Sequence, residues 1–338
     1  MAEGESKRGS DITATARGQH EDNSGRGATL VGMRLEVADA LSRSEGLSTA
    51  TLTASVSCEQ STEVRKPRID RPDHHVLSRA PMHWILQKNL INPADLDRFE
   101  TALRDSGTSY SLISLVPFFH ELADEPADLP ADGLFVYGST GLGHVAKTRG
   151  WQPGYFDENL DYELMLRRYG SRALNANAIC ASLAELQHQW DRFFIRPTLD
   201  NKSFAGTVMT WHELEEFREG VARVFDAPDV TLRLEDRVVM APLTSIEAEF
   251  RLFAIGGRIV TGSRYKVGER LSVSEEVPSA VKEFAQDCVY DWAPNAAFTI
   301  DIAIADGQMK IIELNSANSA GVYASDVGAL VDAVNARL

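Results

Sequence analysis

No Phe, Tyr or Trp occurs before Trp84, although the chain holds 27 of them in 338 residues. Aromatic side chains supply a large share of buried area, and a polar run of Ser, Thr, Gly, Arg and Glu without them buries too little to offset chain entropy. Residues 1–80 are therefore expected to be a disordered tail, and folding falls to the remaining 258 or so. That length suits one large domain or two coupled ones. The same division separates charge. Of the net charge of -15, the first 80 residues carry -1 and residues 81–338 carry -14.

An acidic body argues against a general nucleic-acid binder or an anionic-membrane binder, because both partners attract basic surfaces. A nucleotide would have to be met by a local basic pocket and a metal. No run of 18 apolar residues occurs, and no apolar stretch stands near the first residues, so a cytoplasmic location is expected. Cys58, Cys180 and Cys288 are too few and too dispersed for a disulfide framework or a zinc site.

From His83 the pattern changes. His83–Gln87 predicts a strand, Asn92-Pro93 a helix start, and Leu96, Phe99 and Leu103 the apolar face of that helix up to Gly107. Tyr110–Val116 and Leu134–Tyr137 predict two more strands, the last entering the Gly-rich turn Gly138–Gly143. This is a small α/β unit. Helices are expected around Leu164–Leu166 and from Ala178 to Trp190, then strands at Phe193–Pro197 and Phe204–Met209, a helix over Glu213–Phe225, and a strand at Val238–Leu243.

Two hairpins follow. Glu247–Ile255 and Arg258–Tyr265 flank Gly256-Gly257, a favoured two-residue turn that pairs Ile255 with Arg258 and sets Glu249 opposite Arg264. Period two puts Glu247, Glu249 and Arg251 on one face, which is either a solvated face with cross-strand ion pairs or a site. In the second hairpin, Asp301 interrupts the apolar strand Phe298–Ala305, and Glu313 and Asn315 interrupt its partner. A three-residue loop with Gly307 left-handed pairs Asp301 with Ile311 and puts Asp301, Glu313 and Asn315 on one face. A strict two-residue Asp306-Gly307 turn puts them on opposite faces. Gathered, these oxygens suit a hard cation such as Mg²⁺; dispersed, they are the polar side of an exposed hairpin.

The ordered set Phe298–Ala303, Ile311–Ser316 and Asn318–Tyr323 resembles the C-terminal signature of the ATP-grasp superfamily. Upstream, Glu249–Phe253 with Gly256–Val260, then Phe194-Ile-Arg196-Pro197, then Asp200–Gly206 resemble the family's phosphate-contacting strand pair, its Lys-Pro strand and its lid loop. An Arg in place of that first Lys is similar to the clade named for two arginines and one lysine. The resemblance implies an α+β chain: an ATP-grasp fold of two α+β subdomains over residues 186–338, preceded by a small α/β domain over 81–185 that helps bind the acceptor. It implies ATP and Mg²⁺ as cofactors, with Asp301, Glu313 and Asn315 holding the metal and Arg196 and Lys202 on the phosphates. Arg251 would steady the transferred phosphoryl group with Glu249 or Arg264 in support, and Val239, Met240, Ala241 and Leu243 would line adenine. The implied activity is a ligase that joins a carboxylate to an amine through an acyl phosphate. The acceptor is a small molecule, a peptide or a protein terminus, and the oligomeric state is left open. A phosphotransferase or a non-catalytic ATP-binding module are the alternatives.

Competing motifs are weaker. Gly141-Leu-Gly143 with Ala146 and Asp161 outlines a dinucleotide-binding turn and so a dehydrogenase, but no strand is expected before Asp161. The phosphate-loop pattern fails at His144. Asn201-Lys-Ser203 matches a glycosylation acceptor by chance composition, and the histidines show no metal-like pairing.

Overall fold

The computed structural model describes residues 81–117, 119–199, 203–223 and 232–338. The expected tail, residues 1–80, and Lys202 in the expected lid lie outside the described residues.

The first elements are β1 (His83–Gln87), α1 (Pro93–Asp105), β2 (Ser109–Ile113), β3 (Leu134–Tyr137), α2 (Thr140–Thr148) and β4 (Pro153–Gly154). The strands form a parallel sheet in the order β2-β1-β3-β4. Helix α1 begins as its sequence predicts: the Asn92 side chain accepts from the Asp95 N–H at 2.9 Å, and Pro93 follows at the first helical position. Phe99 and Leu103 from its apolar face are fully buried with Trp84, Phe135 and Tyr137. Strand β2 stops at Ile113, short of the expected Val116, and an isolated antiparallel bridge from Leu115 to Leu122 lies beyond it.

Next come α3 (Tyr162–Tyr169), β5 (Ile179–Ser182), β6 (Arg192–Pro197), β7 (Thr207–Thr210), α4 (Trp211–Arg223) and β8 (Arg237–Ala241). These strands make an antiparallel sheet in the order β5-β8-β6-β7. The helix expected from Ala178 to Trp190 is absent; β5 pairs there with β8, from Ile179 opposite Met240 to Ser182 opposite Arg237. Pairing and burial outweigh local helical spacing, since Leu183 and Leu186 still reach the core under α4 with Phe193, Ile195, Leu214, Val238 and Met240. Alternation then puts Phe194, Arg196, Val239 and Ala241 on the opposite face.

The third sheet contains β9 (Ala248–Ile255), β10 (Arg258–Val267), β11 (Arg270–Ser274), β12 (Ala297–Ala305) and β13 (Gln308–Ser316), with α5 (Ser279–Asp291) and α6 (Val327–Arg337). Its order is β11-β10-β9-β12-β13, antiparallel throughout. One face, with Phe250, Leu252, Phe298, Ile300 and Ile302, packs on Val281, Ala285 and Cys288 of α5. On the other face, Phe253, Ile255 and Ala297 share a core with α6 and with Trp84, Phe99 and Phe135. Trp84 also donates its indole N–H to Asn335 at 3.0 Å. Among the described residues no helix is long and apolar enough to cross a membrane.

Candidate active site

A row of charge crosses three neighbouring strands of the five-stranded sheet. Arg251 on β9 stands opposite Asp301 on β12, and Asp301 stands opposite Glu313 on β13. Of the two turns the sequence allows, the two-residue one occurs: Asp306 and Gly307 have φ of 50° and 68°, and Ala305 pairs with Gln308 across it. Left uninterrupted, that turn would set Ile312 opposite Asp301. A bulge intervenes instead, since Ile302 pairs with Ile311 while Asp301 pairs with Glu313. The extra residue rephases β13 and brings Glu313 and Asn315 to the face of Asp301. Asn315 donates its Nδ2 to Glu313 Oε1 at 3.0 Å.

Asp301 has no exposed surface and takes a two-pronged contact from Arg251, Nε to Oδ1 at 2.9 Å and Nη2 to Oδ2 at 2.7 Å. Complete burial pushes the Asp301 carboxyl above its usual range, and Arg251 pulls against that shift. On Arg251, burial works against the charge but Asp301 overcomes it, so the guanidinium is held more firmly protonated than usual. Glu313 meets Arg196 Nη1 at 2.6 Å and lies 3.9 Å from Arg251 Nη2. Burial alone would raise its carboxyl, yet Arg196, Asn315 and Arg251 together hold it below the ordinary carboxylate range. Arg196 comes from β6 of the other antiparallel sheet, and its guanidinium lies 4.4 Å from the Tyr162 ring centroid.

The first hairpin departs from its simple register. Gly256 and Gly257, with φ of 57° and 77°, make the expected turn and pair Ile255 with Arg258. Two irregularities then intervene, and Glu249 ends opposite Lys266, with Arg264 opposite Phe250. The expected Glu249–Arg264 pairing is thus replaced. Arg264 bonds to Ser272, whereas Glu249, 7% exposed, accepts from Lys266 Nζ and from the Tyr265 hydroxyl, both at 2.7 Å. The sequence does not single out Lys266 and Tyr265, because they reach Glu249 only after both irregularities have shifted the register of β10. Tyr265 stacks on Tyr323 with centroids 5.1 Å apart and planes at 11°, and Arg251 lies 5.7 and 5.4 Å from the two rings.

Val239 and Ala241 are buried on the Arg196 side of β8, Met240 packs into the core under α4, and Leu243 is exposed beyond the strand end. The Gly138–Gly143 turn has a packing explanation. A Cβ on Gly138 would lie 2.6 Å from Gln87 Cβ, and one on Gly143 would lie 2.8 Å from the Tyr155 ring. Ser139 caps α2, and Asp161 caps α3 by accepting from the Leu164 N–H at 2.7 Å. The carboxylate that a dinucleotide motif would place on a ribose is therefore a helix cap.

Two carboxylates and one amide form an all-oxygen donor set suited to a hard cation. Among the described residues no three His, Cys, Asp or Glu side chains gather into a self-sufficient cage, so such an ion would need phosphate and water oxygens as well. Magnesium is bound in that way, and the donor set fits it.

Fold and charge row together define an ATP-grasp protein. The chain belongs to family 3 of the ATP-grasp domains in the clade named for two arginines and one lysine, whose profile matches residues 116–334, more than half of its length. Among solved structures, the RimK domain protein ATP-grasp from Sphaerobacter thermophilus DSM 20745 is 12% identical with a TM-score of 0.50, covering 75% of this chain and 99% of its own. The ATP-grasp ligase PsnB complexed with minimal precursor is 14% identical (TM-score 0.44; 77% and 99% covered). The L-amino acid ligase from Bacillus licheniformis is also 14% identical (TM-score 0.47; 71% and 69% covered). These likenesses concern the fold. No curated protein matches the sequence.

Proposed function

We propose that the protein is an ATP-dependent ligase that joins a carboxylate to an amine through an acyl phosphate, with Mg²⁺ held by Asp301, Glu313 and Asn315. The observation that carries this reading is the two-pronged contact of Arg251 with Asp301 in line with Glu313. A guanidinium that forks onto a carboxylate has the donor geometry to fork onto a phosphate. Arg196, Arg251 and Lys266 concentrate cations inside an acidic body, and the first two rest on Glu313 and Asp301, carboxylates that a bound metal could take over. Lys202, from the expected lid, joins them in this reading.

Phosphoryl transfer asks a protein mainly for position and charge. Arg251 and Arg196 would hold phosphate oxygens in line with the incoming carboxylate, and Val239, Ala241 and Leu243 would border the adenine. When bound, the magnesium ion supplies Lewis-acid neutralisation of phosphate charge. The substrate carboxylate oxygen forms a bond to the γ-phosphorus as the bond to ADP breaks. An amine nitrogen then bonds to the acyl carbon, phosphate leaves, and the amine loses a proton.

The test is ADP release against a panel of carboxylates and amines. Equal amounts of ADP and free phosphate are expected, with Glu313→Gln abolishing both. ADP accompanied by a stable phosphorylated product would indicate a phosphotransferase instead, and normal turnover by Glu313→Gln would overturn the metal assignment.

A further inference from the structure

The segment 317–325, between β13 and α6, carries Tyr323 to the side of Arg251, and it is held largely by residues far upstream. Tyr137 donates its hydroxyl to Ala320 O at 2.5 Å, and Gly138 N–H donates to Asn318 O at 2.8 Å. At Tyr323 itself φ is 46°, a left-handed conformation uncommon for a bulky residue and kept only where surroundings enforce it. The enforcing group is Arg98 on α1. Its Nη1 donates to Tyr323 O at 2.5 Å, its Nη2 donates to Ser325 O, and Asp95 Oδ1 steadies Nη1 at 2.8 Å. Strand β10 adds lighter ties through Ser263 to Ala324 N at 3.2 Å and Thr261 to Asp326 N at 2.8 Å.

We infer that Arg98 is a positioning residue for Arg251, acting through the backbone and ring of Tyr323. One guanidinium grips two carbonyls two residues apart and fixes the left-handed turn. That turn aims the Tyr323 ring at Tyr265, and the stacked pair flanks the Arg251 guanidinium. Arg98 lies outside the matched residues 116–334, so the family match does not assign it. Its effect on rate rests on the ligase reading, but its effect on the tyrosine pair does not.

Arg98→Met removes the grip, and Arg98→Lys keeps the charge without a fork that can span both carbonyls. In both variants kcat is expected to fall by roughly ten- to a hundredfold, the scale of a small misplacement near reacting atoms, with little change in KM for ATP. In a Tyr323→Ala background the Arg98→Met substitution should lower kcat no further. Near-ultraviolet circular dichroism needs no turnover: the part of the tyrosine band contributed by the stacked pair, read as the difference from wild type, should be lost alike in Arg98→Met and Tyr323→Ala. A wild-type kcat in both Arg98 variants, an undiminished further loss in the Tyr323→Ala background, or an unchanged tyrosine band in Arg98→Met would each overturn the inference. A wild-type protein without ligase turnover would sink the functional reading alone, and the dichroism would still decide the role of Arg98.

Discussion

Arg196 and Glu313 meet at 2.6 Å although they are 117 positions apart and belong to different antiparallel sheets. One ion pair therefore joins the strand that carries the proposed phosphate-binding cation to the strand that carries the proposed metal-binding carboxylate.

The pair predicts a pH signature. Glu313 is held below the ordinary carboxylate range in the fold, so its contribution to stability is present above the unfolded value of about 4.3 and is lost as pH falls through the lower folded value. Melting temperature followed from pH 6 downward should drop for the wild type below about pH 4.5. Glu313→Gln should show a shallower acid limb. Parallel curves would remove Glu313 from the acid sensitivity.

The Arg251–Asp301 pair separates chemistry from folding. Arg251→Met should destabilise the protein by about 3–5 kcal/mol, because it leaves a buried carboxylate uncompensated. The double variant Arg251→Met with Asp301→Leu should recover much of that loss while remaining inactive, which urea denaturation with an ADP-release assay would reveal. A double variant less stable than the single one would contradict this account.

Asn318 is a buried junction. Its Nδ2 donates to Val136 O at 2.6 Å and Gly154 O at 3.1 Å, and its Oδ1 accepts from Phe156 N at 2.9 Å. Asn318→Leu strands these backbone groups, each worth about 1–3 kcal/mol when left unsatisfied. Calorimetry should show a lower melting temperature with loss of activity, and an unchanged melting temperature would refute the junction's importance.

Burial pushes the Cys288 thiol up to about 11, so little thiolate exists at pH 8. Iodoacetamide should leave Cys288 unmodified in the native protein and label it after denaturation, as peptide mapping would detect. Rapid native labelling would show that α5 opens readily.

The ATP-grasp resemblance is legible in the sequence because its pieces are short and ordered, and the strands carrying them are strongly apolar. The Gly256-Gly257 turn is legible too, whereas the length of the turn at Gly307 is not. What escapes is phase. Ile311 and Glu313, two residues apart on one strand, face opposite sides because of the bulge between them, and no glycine or proline marks it. In the first hairpin two irregularities together shift the register by two residues, which replaces Arg264 by Lys266 opposite Glu249. The segment Ala178–Trp190 misleads because its helical spacing of leucines also satisfies a strand followed by turns once β8 lies alongside. Lys202 falls outside the described residues, so its expected role continues as a proposal.

Strand β1 lies between β2 and β3, and its Trp84 is buried against the core that α6 completes. A fragment cut at residue 116, where the family match begins, would discard β1, β2 and α1. It would strip β3 of its neighbour β1 and uncover the apolar side of α6. The stretch by which the family is recognised is therefore narrower than the stretch that shares one hydrophobic core.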